Sequence, residues 1–233
     1  MTAELELKLI KHFRERELLP GDPLPTEHEL ANTLGLGRPA LREALAVMQA
    51  LGLVVSRQGA RRILGEFDMK TVVEALTRYM EPSIDVMIDL LDVRRVLEAA
   101  FFPAAASNMS AKTLRELRFL VDRMESKAAR GLAFLSEDAK FHQLLYTHVD
   151  NDTFHGLVAA FWTLFDTASV HLQVGSDLPE SAHRHTAIVA ALEGGDGQLA
   201  AHELNVHFFD VRSRLTAYRA APTVRQASLP NTK

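Results

Sequence analysis

The sequence contains no cysteine among its 233 residues. The chain therefore has no disulfide framework and no thiolate for metal binding or nucleophilic catalysis. It also lacks an apolar run approaching the roughly 18 residues that a membrane span requires. Acidic Glu4 and Glu6 stand where a signal peptide would have a basic start. We expect a cytoplasmic protein with no membrane partner, and the length suggests two domains.

The common catalytic signatures are absent as well. The sequence has no glycine-rich phosphate loop, no Gly-x-Ser-x-Gly nucleophile elbow and no His-Glu-x-x-His metalloprotease helix. We therefore predict no catalytic residue from motifs.

Residues 20–64 carry the pattern of a helix-turn-helix. Thr26 followed by Glu29 is a capping-box signature, which predicts that a helix begins near Glu27. This helix should end at Gly35, because glycine accommodates the tight turn that follows. A second helix is predicted from Arg38 onward.

The second helix carries exposed arginines, and a basic hairpin follows it. Arg38 and Arg42 lie one turn apart beside the apolar stripe, so we expect both guanidinium groups to be free for phosphate or guanine edges. Strands at 53–56 and 60–64 form a wing with basic residues at its tip. The predicted DNA-binding residues are Arg38, Arg42, Arg57, Gly59 and Arg61.

These residues closely resemble the winged-helix domain of the GntR family of bacterial transcription regulators. The family pattern Pro-Gly-x-x-Leu-Pro-x-Glu appears at 20–27, and Arg-x-x-Leu-Arg-Glu-Ala-Leu recurs at 38–45. Two positions depart from the family: Gly37 replaces a usual Ser or Thr, and His28 replaces a usual Arg. Each departure removes a phosphate or base contact. The resemblance implies a homodimer that binds a short palindromic operator in double-stranded DNA.

The net charge of -4 is unevenly distributed. Residues 1–65 carry nine Lys and Arg against eight Asp and Glu, whereas residues 66–233 carry seventeen against twenty-two. DNA binding must therefore depend on a local basic patch, which predicts modest nonspecific affinity and marked salt sensitivity.

Beyond the wing the pattern is helical throughout, which predicts a mainly α fold. The expected domains are a winged helix-turn-helix at 1–66, an all-α bundle at 67–220 and a loose tail at 221–233. The predicted helices of the second domain span 68–80, 84–108, 111–129, 132–149, 152–173, 178–193 and 196–219.

Four polar residues occupy positions on the apolar stripes of these helices. Asp138 and His142 are four residues apart, and therefore share one face of a helix. His185 and His207 each lie on the apolar stripe of a later helix. Unpaired buried carboxylates and imidazoles cost several kcal/mol, and one divalent cation would pair with all four groups. The alternative is a set of hydrogen-bonded core residues.

The segments around these four residues resemble the FCD ligand-binding domain of the FadR branch of GntR regulators, in its metal-carrying form. That form takes Asp and His from one helix and one His from each of two later helices. The resemblance implies one divalent cation per chain, with zinc expected and nickel or manganese as alternatives. A small organic acid effector or waters would fill the remaining coordination positions.

Arg94 is the predicted effector-binding residue, with Arg95 as the alternative. Arg94 matches the arginine four residues before a glutamate, here Glu98, in the first helix of the FCD domain. The competing interpretation is a surface ion pair between Arg94 and Glu98, worth a few tenths of a kcal/mol.

Together these features predict a repressor that a small carboxylate releases from its operator. A metal-dependent enzyme using the same His/Asp site remains open, although the apolar stripes show no spare buried Glu or Asp as general base. A constitutive DNA binder with a structural metal also remains open. Effector-dependent operator release supports the first interpretation, and substrate turnover supports the second.

Overall fold

A computed structural model describes residues 2–56, 61–77, 83–172 and 177–220. The chain divides into two compact units, Met1–Met80 and Glu81–Lys233. The mainly α fold class is confirmed. The described elements are α1 (Thr2–Glu15), α2 (Glu27–Leu34), α3 (Arg38–Ala50), β1 (Val54–Val55), β2 (Ile63–Leu64), α4 (Met69–Thr77), α5 (Ile84–Ser107), α6 (Ala111–Ala128), α7 (Leu135–Leu145), α8 (Asp152–Leu172), α9 (Leu178–Glu193) and α10 (Gly197–Ala220).

The first unit contains the predicted helix-turn-helix. Thr26 Oγ1 accepts a hydrogen bond from the Glu29 amide over 3.3 Å, and Glu29 Oε2 accepts one from the Thr26 amide over 2.7 Å. This capping box begins α2, and Gly35 ends it with a left-handed φ of 63°. Gly37 is the N-cap of α3 without a side-chain hydrogen bond.

Strands β1 and β2 pair antiparallel, with Val54 opposite Leu64 and Val55 opposite Ile63. They form the base of the predicted wing, while residues 57–60 lie outside the described residues. Helix α1 precedes the motif and packs on α3. The unit also includes α4, which follows the wing. Its buried core comprises Leu9, Phe13, Leu24, Leu30, Ala31, Leu41, Ala44, Leu45, Met48 and Val54.

The second unit is a helical bundle. Helix α10 packs on α9 and α5, and α6 packs on α9 and α7. The predicted helices agree closely with those observed, except that α7 is shorter than the predicted 132–149. None of the helices in the described ranges is long and apolar enough to span a membrane. The predicted tail at 221–233 lies outside the described residues.

Candidate DNA-binding surface and metal centre

Arg38 lies exposed at the first position of α3, where a recognition helix meets DNA. Its Nη2 donates to His28 Nδ1 over 3.2 Å. The His28 departure from the family pattern therefore places a hydrogen-bond partner beside the first arginine of α3. This contact fixes the direction of the guanidinium group in the free protein.

The expectation that the Arg42 guanidinium is unpartnered is wrong, although 67% of this side chain is exposed and its contact with DNA stays a prediction. Its Nε donates to Glu27 Oε2 over 2.7 Å, and Arg62 Nη1 donates to Glu27 Oε1 over 2.7 Å. Glu27 thus links α2 to α3 and to the strand-bearing wing. The Arg42 and Arg62 guanidinium groups hold the pKa of the Glu27 carboxyl below its usual value.

The remaining DNA-binding predictions concern the wing. Arg61 is exposed two residues before β2. Arg57 and Gly59 lie outside the described residues. Exposed cations at the start of α3 and beside β2 thus lie within one compact unit, as DNA binding requires.

The structure brings the four predicted metal ligands together from three helices. Asp138 and His142 lie on α7, His185 lies on α9 and His207 lies on α10. One ligand atom from each residue lies within 4.8 Å of the others. The three histidines are buried, and the Asp138 side chain is 17% exposed.

Hydrogen bonds on the far side of two imidazoles decide which nitrogen faces the cluster. His185 Nδ1 donates to the Ser181 carbonyl over 2.9 Å, and its Nε2 lies 3.0 Å from Asp138 Oδ1. His142 Nδ1 lies 2.6 Å from Glu98 Oε2, and its Nε2 lies 3.4 Å from Asp138 Oδ1. A proton on each Nδ1 leaves a lone pair on each Nε2. Those lone pairs face a carboxylate oxygen, an arrangement that requires a cation or protons between them.

Burial and neighbouring charges set the protonation of the cluster. Burial opposes ionisation of Asp138, but His185 and His142 outweigh it and hold the pKa of this carboxyl well below its usual range. Burial, together with the charges of His185 and His142, holds the pKa of His207 well below its usual range. An ionised carboxylate beside a neutral imidazole is the donor set that a divalent metal binds.

The residues therefore fit a metal ion. His142 Nε2 is buried without a hydrogen-bond partner in the described part of the chain. Buried polar atoms are normally satisfied, so this nitrogen calls for a metal ion or for a proton shared with Asp138 Oδ1, 3.4 Å away. Three imidazoles and one carboxylate match the ligands used by zinc and related transition metals.

Glu98 is a further residue of the candidate site, which the sequence analysis named only as the possible partner of Arg94. Its side chain is 0% exposed, and the Arg94 side chain is 4% exposed. Arg94 Nε donates to Glu98 Oε1 over 2.5 Å, while His142 donates to the other oxygen. The competing interpretation of an exposed pair is therefore wrong, and so is the expectation that no spare buried acid lies beside the four candidate ligands. The available signal was the spacing of Leu91, Glu98 and Phe102, which places Glu98 on the buried stripe of α5.

Arg94 has one guanidinium nitrogen without a partner. Its Cζ lies 4.2 Å from the Trp162 ring centroid and 5.2 Å from that of Phe208. Its Nη2 is buried and makes no hydrogen bond to the described residues. Arg95, the alternative effector residue, also has a buried nitrogen without a partner among the described residues, its Nε, but its guanidinium group lies over Phe209, a side chain that is 57% exposed. The geometry favours Arg94.

A winged helix with exposed arginines, followed by a helical unit that encloses a polar cluster, defines a DNA-binding transcription regulator with a separate ligand-binding domain. Residues 1–62 match the bacterial regulatory proteins of the gntR family, and residues 89–210 match the FCD domain. The chain belongs to the GntR family and carries an FCD domain.

Similar proteins include named regulators. The HTH-type transcriptional regulator LutR of Bacillus subtilis is 27% identical over 212 residues, covering 88% of this chain and 97% of the relative. The HTH-type transcriptional repressor NanR of Cronobacter sakazakii is 27% identical over 220 residues, covering 91% of this chain and 84% of the relative. A solved structure, Streptococcus agalactiae GntR, has a TM-score of 0.63 at 23% identity, covering 91% of this chain and 99% of its own. This structural likeness concerns the fold alone.

Proposed function

We propose that this protein is a cytoplasmic repressor of the FadR branch. A small carboxylate that binds beside a metal ion in the protein would release the protein from its operator. The observation that carries the proposal is the unpartnered Nη2 of Arg94, buried in the same unit as an unpartnered Nε2 of His142. A buried cation without a full set of acceptors favours an anionic ligand.

The metal would be held by Asp138, His142, His185 and His207. We propose zinc, with nickel and manganese as alternatives, because imidazole suits all three and Asp supplies the one hard ligand. When bound, the metal supplies positive charge that attracts a carboxylate. Arg94 then provides the second positive group, and the stacking on Trp162 holds its guanidinium plane in place.

We also propose that the protein acts as a homodimer on two operator half-sites. One winged helix reads only a few base pairs, so a palindrome requires two. The outer face of α5 supports self-association: Val93 and Val96 are 52% and 57% exposed, and Ala100 continues the same face. A contiguous apolar face of this kind is typical of a protein interface.

The enzyme interpretation gains one observation from the structure, the buried carboxylate of Glu98. Both of its oxygens are engaged, by Arg94 and by His142, so it is poorly placed to take a proton from a substrate. The curated relatives reported above are named as transcription regulators. Regulation by a bound ligand therefore remains the function that the site supports best.

Metal content and operator release test the proposal together. The wild-type protein should retain about one divalent cation per chain, and a small carboxylate should release it from an operator fragment. His142→Ala and His207→Ala should lose both the cation and the response, because each removes a ligand. His183→Ala, which changes an exposed histidine on α9, should behave as wild type.

Arg94→Ala should keep the bound metal ion and lose the response to carboxylates, although it also leaves the Glu98 carboxylate without its guanidinium partner. Stoichiometric metal in His142→Ala and His207→Ala under chelator challenge would show that the site is elsewhere. An Arg94→Ala protein that responds to carboxylate as the wild type does would exclude Arg94 from the effector site.

A further inference from the structure

We propose that Glu98 is a positioning residue that couples the metal centre to the effector site. One of its carboxylate oxygens orients His142, and the other orients Arg94. This inference rests on the proposed function, because it assumes that His142 binds a metal and that Arg94 binds the effector.

The contact with His142 selects the nitrogen that faces the metal. A carboxylate oxygen accepts a hydrogen bond, so Glu98 Oε2 at 2.6 Å places the proton on His142 Nδ1. The Nε2 lone pair then points toward Asp138, 3.4 Å away. A carboxylate behind a ligating histidine fixes the tautomer and ring direction and raises the basicity of the ligand.

The contact with Arg94 leaves part of the guanidinium group available. Glu98 Oε1 accepts from Nε, whereas Nη2 has no partner among the described residues. A bidentate pair would have engaged two guanidinium nitrogens with the same carboxylate. The single contact anchors Arg94 and keeps one donor for an anion, while the ring of Trp162 restricts rotation of the group.

Glu98 is itself held rigidly. Its side chain is fully buried, and its backbone carbonyl accepts a hydrogen bond from the Tyr146 hydroxyl over 2.9 Å. Tyr146 follows His142 by four residues and is the C-cap of α7, so α5 and the end of α7 are joined at two points beside the site. A metal on His142 and an anion on Arg94 would therefore both act on groups that the same carboxylate holds in place. Because such coupling is reciprocal, a carboxylate on Arg94 should strengthen metal binding by the same factor.

Glu98→Gln tests this role, because glutamine presents one acceptor and one donor to two groups that both donate. Zn²⁺ affinity, measured by competition with a chromogenic chelator, should fall about 10- to 100-fold in this variant. The matched control is Glu180→Gln, which breaks a half-buried pair with Arg184 at the same i,i+4 spacing on α9. The control should bind Zn²⁺ as the wild type does.

The double variant Arg94→Met/Glu98→Gln removes one of the two donors. Its glutamine oxygen then accepts from His142 alone, so Zn²⁺ affinity should recover to within about threefold of wild type. Wild-type affinity in Glu98→Gln, or equal weakness in the single and double variants, would overturn the inference. Failure of the wild type itself to bind Zn²⁺, Ni²⁺ or Mn²⁺ would instead overturn the proposed function.

A second observation concerns Trp162, the one tryptophan of the chain. Its indole Nε1 is buried and has no hydrogen-bond partner in the described ranges, and its ring stacks on Arg94. The ring centroid lies 5.7 Å from that of His142. We infer that the indole N–H donates to the effector beside Arg94, which makes Trp162 a specificity residue.

Trp162→Phe tests this role because it keeps an aromatic ring over Arg94 and removes the donor. Binding of acetate and glycolate to the Zn²⁺-loaded protein should weaken about tenfold, the effect of one hydrogen bond to a charged group. Zn²⁺ affinity should not change. Wild-type binding of both acids by Trp162→Phe would overturn this inference, as would unchanged Trp162 fluorescence when the acids bind the wild type.

Discussion

Replacing Arg94 by methionine should destabilise the FCD unit by about 3–5 kcal/mol, the usual cost of removing one partner of a buried ion pair. The Arg94 side chain is 4% exposed and that of Glu98 is 0% exposed, so water does not screen the remaining carboxylate. Methionine preserves most of the buried volume, and packing should therefore contribute less than the charge. Among the described residues, His142 alone would remain as a hydrogen-bond partner of the Glu98 carboxylate.

Thermal unfolding of the Zn²⁺-loaded proteins measures this loss. In a unit of this size 1 kcal/mol shifts Tm by about 2–4 °C, so the expected decrease is roughly 6–20 °C. The control is Arg184→Met, which removes the partner of Glu180 on α9 from a pair that water reaches: the Arg184 side chain is 30% exposed and that of Glu180 is 43% exposed. A surface pair contributes about 0–1 kcal/mol, so this variant should unfold close to wild type.

The double variant Arg94→Met/Glu98→Gln should recover at least half of the lost Tm, because it removes the charge that the single variant leaves unpaired. A decrease no larger than that of Arg184→Met would refute the reasoning. So would an additive double variant, since additivity would mean that Arg94 and Glu98 do not interact.

Four further predictions follow from other residues. Arg38→Ala should cost about 1–3 kcal/mol of operator affinity if Arg38 contacts a base. Fluorescence anisotropy measures this affinity, and an unchanged value would exclude Arg38 from the DNA interface. Gly37→Ser should raise Tm by the equivalent of a few tenths of a kcal/mol, because serine is a better N-cap for α3 than glycine. The added Cβ would meet only Pro39 Cδ, at 3.9 Å, so no clash opposes the gain, and a lower Tm would contradict this prediction. Glu27→Gln should destabilise the winged helix at neutral pH. The pKa of Glu27 is lowered, so the stabilisation by its ion pairs is present above the usual Glu value of 4.5 and is lost as the folded carboxylate is protonated below it. Urea titrations should therefore show the stability difference between wild type and variant vanishing as the pH falls below 4.5. Val96→Glu should yield monomers by light scattering, whereas Phe119→Glu on α6, also an exposed apolar residue, should remain dimeric; a dimeric Val96→Glu would exclude the α5 face.

Features encoded by local spacing could be predicted from the sequence. The capping box of Thr26 and Glu29 needs only residues three apart, and the structure contains both of its hydrogen bonds. The candidate ligands could be selected from the sequence because histidine and aspartate interrupt apolar stripes whose period is known. Packing of α7, α9 and α10 then brings these polar side chains together.

Features that depend on distant partners could not be predicted. Glu27 pairs with Arg42 and Arg62, which are 15 and 35 residues away, and no local pattern specifies either contact. Glu98 lies four residues from Arg94, a spacing that normally describes an exposed pair on a helix. Its burial depends on α7 and on His142, which lies 44 residues away.

Charge balance narrows the effector that the proposed site would accept. Arg94 carries one positive charge, and Glu98 and Asp138 carry one negative charge each. Burial lowers the pKa of His207 and keeps that imidazole neutral. Imidazoles that bind a metal are neutral, so in the metal-bound form these side chains sum to a single negative charge and a divalent cation changes the sum to a single positive charge. Uncompensated charge is expensive in a buried site. One carboxylate restores neutrality, whereas a second carboxylate enclosed in the same site would leave it negative. The site therefore favours a ligand that presents one carboxylate to the metal and Arg94, with any further acidic group left outside the buried cluster.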